Sequence, residues 1–162
     1  MKTDNDILEL LERNNKLTPA QIGVMLNKEE TYVSASIKDY EKHKVILGYK
    51  TLINWEKTNK DSVTALIEVK VTPQRGEGFD KIAERIYLYP EVTSCYLMSG
   101  GFDLTVVIEG KTLKEVALFV AEKLSTLESV QSTATHFILK KYKDEGTIFE
   151  NRIVDDREAI IL

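Results

Sequence analysis

At 162 residues with 43% apolar content, the chain can bury one large core or two small ones. No apolar run approaches the roughly 18 residues of a membrane span or the core of a signal peptide. The single cysteine, Cys95, rules out a disulfide framework within one chain and points to a reducing cytosol. The formal charge of -4 gives no global sign of a nucleic-acid partner, so charge has to be read segment by segment.

Residues 1–50 show helical periodicity and predict three helices. Ile7, Leu10 and Leu11 mark the inner face of the first, with Asp4 and Asp6 suited to its N-terminus. The second opens on TPAQ, with Thr18 as N-cap, Pro19 at the first helical position and Gln21 completing a capping box. Ile22, Met25 and Leu26 are expected to form its buried stripe. In the third helix Val33, Ile37 and Tyr40 recur at helical spacing, which turns Thr31, Tyr32, Ser34, Ala35 and Lys38 outward. This is a helix-turn-helix with a support helix before it. Residues 45–54, VILGYKTLIN, leave the helical pattern and read as a strand linking two parts. A polar stretch from Trp55 follows, so residues 51–61 are the expected hinge.

From Val63 the period changes to two. VTALIEVKV sets Val63, Ala65, Ile67, Val69 and Val71 against Thr64, Glu68 and Lys70. Phe79, Ile82, Ala83, Ile86 and Tyr87 then form a helical stripe. Strands are expected at 92–98 and 104–109, and TLKE at 112–115 is a second capping box. It opens a helix with Leu113, Val116, Ala117, Val120, Leu124 and Leu127 inside. Residues 133–142 close the series as a strand. The order βαββαβ over residues 62–143 is a split, ferredoxin-like arrangement, giving an α+β chain with a tail at 144–162. Two helices cover one sheet face. The other should carry apolar residues and find a partner, most economically a second copy in a two-fold dimer. The acidic tail with its apolar end suits an added strand or a subunit contact.

Between the two middle strands stands SGGFD, residues 99–103. One reading is a tight turn, because Gly-Gly suits a type I′ hairpin, whose central residues need positive φ. The other is a ligand site, because glycines let backbone N–H groups approach an anion. The strand pairing is not expected to need the Asp103 carboxylate.

A small helix-turn-helix, a hinge reading GYKTLIN, a βαββαβ domain with a glycine-rich hairpin at Gly100-Gly101-Phe102-Asp103 and a late strand with Thr133 and Thr135 together resemble the leucine-responsive/asparagine-regulator (Lrp/AsnC) family of transcription factors. The likeness runs from about residue 3 to about residue 143. It implies an N-terminal, winged helix-turn-helix domain over 1–50 that binds double-stranded DNA. It also implies a C-terminal domain that assembles a homodimer or a higher oligomer and binds an amino acid or related small molecule. The family binds effectors at this hairpin between subunits, where Gly100 and Gly101 would meet a carboxylate, Asp103 an ammonium, and Ser99, Thr133 and Thr135 would add hydroxyls. The family's hairpin usually reads Gly-Asp-Tyr-Asp, so Gly101 removes one acceptor.

The reading head departs from the family too. Residues 1–50 hold eight Lys or Arg and eight Asp or Glu, although phosphate neutralisation dominates DNA affinity. The family commonly has arginines where this chain has Ala35 and Ser36, and there is no arginine from Asn14 to Gln74. Guanine readout then falls to Lys38 alone. Thr31, Tyr32, Ser34 and Ser36 remain for base edges, with Lys28, Lys38, Lys42 and Lys44 for phosphates, a set that favours AT-rich sequence and shape.

Two rivals belong to other classes: a siroheme-decarboxylase-like enzyme on the same two-domain plan, and a binding module that has lost DNA affinity. The first needs cations lining a tetrapyrrole-sized cavity, and few lie near the hairpin. His43 and His136 lack metal-ligand spacing, and no P-loop, dinucleotide fingerprint or nucleophile elbow is present. No cofactor, metal or catalytic residue is expected.

Overall fold

The computed structural model of the protein describes residues 4–73 and 78–149. The chain divides into two compact units, Met1–Ile53 and Asn54–Leu162.

The first unit holds α1 (Asn5–Arg13), α2 (Pro19–Leu26) and α3 (Glu30–Lys42). Ile7 and Leu11 of α1, Ile22 of α2, and Val33 and Tyr40 of α3 form its core. Each such side chain taken out of water contributes about 1.5–3 kcal/mol. Both halves of the α2 capping box are made: the Thr18 hydroxyl accepts from Gln21 N at 3.2 Å, and Thr18 N donates to Gln21 Oε1 at 2.8 Å. The helix stops at Asn27, whose φ of 52° is left-handed. Lys28 N turns back to Gly23 O at 2.8 Å. A Cβ on Gly23 would stand 2.7 Å from Lys28 O, so only glycine lets the turn close this tightly.

That turn explains one departure from the sequence reading. Met25 is 57% exposed, while Gly23 is buried beside Ile22. The close crossing rotates the inner stripe of α2 onto Ile22, Gly23 and Leu26, and Met25 lies about 100° away from its centre. A second departure is the segment 45–54, which has no strand pairing and leaves Val45, Leu47, Tyr49, Leu52 and Ile53 exposed. Its composition suits a strand, but among the described residues no neighbouring strand supplies a ladder.

The second unit begins with a short 3-10 turn at Trp55–Lys57. It then runs β1 (Val63–Val71), α4 (Gly78–Tyr87), β2 (Val92–Leu97), β3 (Leu104–Gly110), α5 (Leu113–Phe119) and β4 (Val130–Phe137). The strands form one antiparallel sheet in the order β2-β3-β1-β4. Ala65, Ile67 and Val69 of β1 and Leu104, Val106 and Ile108 of β3 are buried with Ile82 and Ile86 of α4 and with Val116 and Phe119 of α5.

Of the six positions in the stripe expected on α5, four face the core. After Phe119 the chain makes a wider π turn, Val120–Leu124. Val116 and Leu124 are buried, Val120 and Leu127 pack half-buried against the same core, and Phe119 joins them, whereas Leu113 and Ala117 are exposed. Phe119 meets Tyr89 edge-on, with ring centroids 5.5 Å apart. The last strand begins and ends earlier than its composition suggests, at Val130 and Phe137. Beyond it a small hairpin pairs β5 (Lys143–Asp144) with β6 (Thr147–Ile148). Glu145 and Gly146 turn it, both at positive φ. Residues 150–162 of the tail lie outside the described residues.

The uncovered sheet face is more polar than expected. Leu66, Val107 and Tyr96 lie among Thr64, Glu68, Lys70, Thr105 and His136. His136 Nε2 stands 3.3 Å from Glu68 Oε1.

Candidate functional site

Two regions carry the candidate residues. On α3, Thr31, Ala35, Lys38 and Lys42 are exposed and follow one another at helical spacing down the side opposite Val33 and Tyr40. Ser34 is half-buried on one flank of that stripe. Ser36 is half-buried at the inward edge. Tyr32, on the other flank, is 50% exposed.

Lys28 and Tyr32 are engaged within the chain. The Lys28 ammonium contacts Asp4 Oδ2, and the Tyr32 hydroxyl donates to the same oxygen at 3.3 Å. Lys28 Nζ also lies 5.6 Å from the centre of the Tyr32 ring. Its hydrogen bond from Lys28 holds the Asp4 carboxyl below its ordinary 3.8, and the same bond raises Lys28 above its ordinary 10.5. The sequence reading gave Asp4 to the helix N-terminus only. Nothing in local spacing signals this pairing, because the residues are 24 apart.

The second region is the β2–β3 loop. Met98 N donates to Asp103 O at 2.8 Å, so four residues, not two, lie between the last hydrogen-bonded pair. Among the described residues the only glycines at positive φ are Gly78 and Gly146, so Gly100 and Gly101 do not form the expected type I′ turn. A Cβ on either would meet nothing within 4 Å. Neither backbone strain nor crowding inside the protomer calls for glycine at these exposed positions.

Asp103 is tied to β1 twice. Its N–H donates to Val69 O at 3.1 Å, and its Oδ2 accepts from Val71 N at 2.9 Å. Direct β1–β3 pairing ends at Val69 and Leu104, so the carboxylate supplies the next rung. The expectation that the fold does not use this side chain is corrected.

On the far side of β1, Val69 pairs with Thr133 and Ile67 with Thr135, which puts both threonines on the helix-covered face, half-buried. Thr133 Oγ1 lies 3.4 Å from Ser125 Oγ. The loop and Thr133 thus stand at one end of the sheet, two strand spacings or about 10 Å apart. Ser99 is exposed beside the glycines.

Elsewhere, a cleft of 580 Å³ lies between α1 and residues 45–50, and one of 260 Å³ between α5 and the β3 end. In the smaller, a hydrogen bond from Lys123 holds the Glu91 carboxyl below its ordinary 4.5. Among the described residues, no group of three or more His, Cys, Asp or Glu could hold a metal ion, and no helix is long and apolar enough to cross a membrane.

A family model described as the Lrp/AsnC ligand binding domain matches residues 64–148, more than half of the chain and all of the loop and threonine positions. The chain belongs to the Lrp/AsnC family. An uncharacterized HTH-type transcriptional regulator of Bacillus subtilis, YugG, is 49% identical to this Lrp/AsnC chain over 160 residues, covering 98% of it and 95% of the relative. The leucine-responsive regulatory protein of Haemophilus influenzae is 25% identical over 140 residues, covering 86% and 84%. Escherichia coli AsnC shares the fold at a TM-score of 0.66 and 17% identity, covering 87% of this chain and 95% of that one. A Neisseria meningitidis regulator solved in complex with L-Met superposes at 0.70 with 24% identity, covering 89% and 92%. These relatives are transcriptional regulators, not enzymes, which sets aside the decarboxylase reading. The chain is an Lrp/AsnC-type transcriptional regulator with a ligand-binding domain.

Proposed function

We propose that the protein reads double-stranded DNA with α3 and tunes that binding to an amino acid held at the 99–103 loop of a cytoplasmic oligomer. The observation that carries the reading is the outward stripe of α3, which the packing of the three-helix unit leaves to solvent. A helix of 13 residues is about 20 Å long and fits the major groove. In that pose Thr31, Ser34 and Ala35 meet base edges through hydroxyls and a methyl, Lys38 sits mid-groove, and Lys28, Tyr32, Lys42 and Lys44 serve phosphates. Without arginine on the helix, guanine is read weakly, and narrow, AT-rich sites are favoured.

The sensing half rests on the match to a ligand-binding domain and on two glycines that the protomer itself does not require. Ser99 and the amides of Gly100 and Gly101 would take the amino acid's carboxylate, and the second oxygen of Asp103 its ammonium. Thr133 lies at the same end of the sheet, and Thr135 two residues further along the same face. The uncovered sheet face and the exposed 45–54 segment offer surfaces for a second copy, in a dimer or a higher oligomer.

Selecting genomic DNA fragments with the full-length protein, with and without a pool of amino acids, tests both halves. We expect enriched AT-rich sites whose recovery changes with at least one amino acid. No enrichment over unselected DNA would remove the DNA reading, and enrichment indifferent to every amino acid would remove the sensing.

A further inference from the structure

The Asp4 carboxylate, placed by α1, is set against two donors of the reading unit. We propose that it occupies the place of a DNA backbone phosphate on Lys28 and Tyr32, so that Asp4 sets how strongly this unit grips DNA of any sequence. The inference rests on the reading that α3 faces DNA.

Three observations support it. One oxygen, Asp4 Oδ2, takes both a cationic and a hydroxyl donor, the pair that phosphate oxygens commonly attract from proteins. Tyr32 lies on the flank of the stripe formed by Thr31, Ala35, Lys38 and Lys42, and Lys28 lies in the turn just before the helix. When a helix enters the major groove its outward face meets bases and its flanks meet the phosphate strands. Finally, the contact between α1 and α3 does not depend on the carboxylate. Asp4 N donates to the Tyr40 hydroxyl at 2.7 Å, and Ile7 and Leu11 are packed in the same core as Val33 and Tyr40.

The electrostatic consequence is specific. A lysine already neutralised inside the protein releases no net counterion when it moves onto DNA, because the carboxylate it leaves must be neutralised in turn. Lys28 therefore adds almost nothing to the salt dependence while Asp4 is charged. Asp6, in the first turn of α1, adds to the negative field at Lys28.

The test measures binding of the full-length protein to a mixed-sequence duplex over a range of salt, for wild type, Asp4→Asn, Lys28→Gln and the double variant. Asn is itself a good helix N-cap, and circular dichroism checks that each variant is folded. Asp4→Asn should tighten binding and steepen the log–log salt slope by about 0.9, a gain about threefold larger at the bottom of a fourfold salt range than at its top. In the Lys28→Gln background the same change should leave the slope alone. A folded Asp4→Asn with unchanged or weaker binding, while wild type binds DNA, overturns the proposal and leaves the DNA reading standing. An equal steepening in the Lys28→Gln background also overturns it, since the gain would then be general relief of negative charge. If no variant binds DNA, both readings fall.

Discussion

Asp103 has to serve the fold with one carboxylate oxygen before it can serve a ligand with the other. Its Oδ2 is the acceptor for Val71 N, so Asp103→Ala should leave that amide unpaired and lower stability by about 1–3 kcal/mol in urea unfolding. Asp103→Asn keeps an oxygen for Val71 and should cost less than about 1 kcal/mol. Both should abolish the response to an amino acid, read by calorimetric titration. A full response from the Asn variant would mean that the charge does not meet the ligand. Gly100 makes the complementary case, with no positive φ and open space where a Cβ would go. Gly100→Ala should leave stability equal or raise it by about 0.4–1 kcal/mol through a less free unfolded chain. It should nonetheless weaken amino-acid binding, because the methyl stands where the backbone must be approached. Unaltered binding would return this loop to a plain turn. The structural role of Asp103 was not legible from SGGFD, since the amide it serves is 32 residues away.

At the scale of the element, the two helix caps and the first strand were realised as read. TPAQ and TLKE cap their helices, with Thr112 accepting from Glu115 N at 3.1 Å, and the alternation of VTALIEVKV matches the burial of β1. What was not legible depends on partners distant in sequence or on one local irregularity. The close turn after α2 moved Met25 outward, and on α5 Phe119 is buried where Ala117 was expected to be. The segment 45–54 has strand composition without a strand to join. Gly23 was passed over because a helical glycine carries no periodic signal, yet its position decides how α2 meets α3. Gly23→Ala would push a methyl against the Lys28 carbonyl, and should cost about 1–3 kcal/mol. Thermal unfolding of the full chain should show the loss, with weaker DNA binding as α3 is displaced. An unchanged melting temperature would mean that the turn relaxes freely.

For the whole molecule, family membership and the two-unit plan join a reading unit of balanced charge to a sheet domain that binds a ligand in this family. The balance of eight basic and eight acidic residues over 1–50 makes each exposed lysine of α3 count, because little surplus positive charge backs it. A coupling of about 1–3 kcal/mol between the two sites suffices for a regulator, and is small enough to be carried by a modest rearrangement within an oligomer.

The measurement that bears most directly on the account is the salt dependence of duplex binding by wild type and Lys38→Glu. Lys38 is the cation in the middle of the outward stripe. With α3 in the groove, Lys38→Glu should weaken binding to every sequence and flatten the log–log slope by about one unit for the lost positive charge against the DNA. A folded Lys38→Glu protein that binds DNA with the affinity and slope of the wild type would show that α3 does not face DNA.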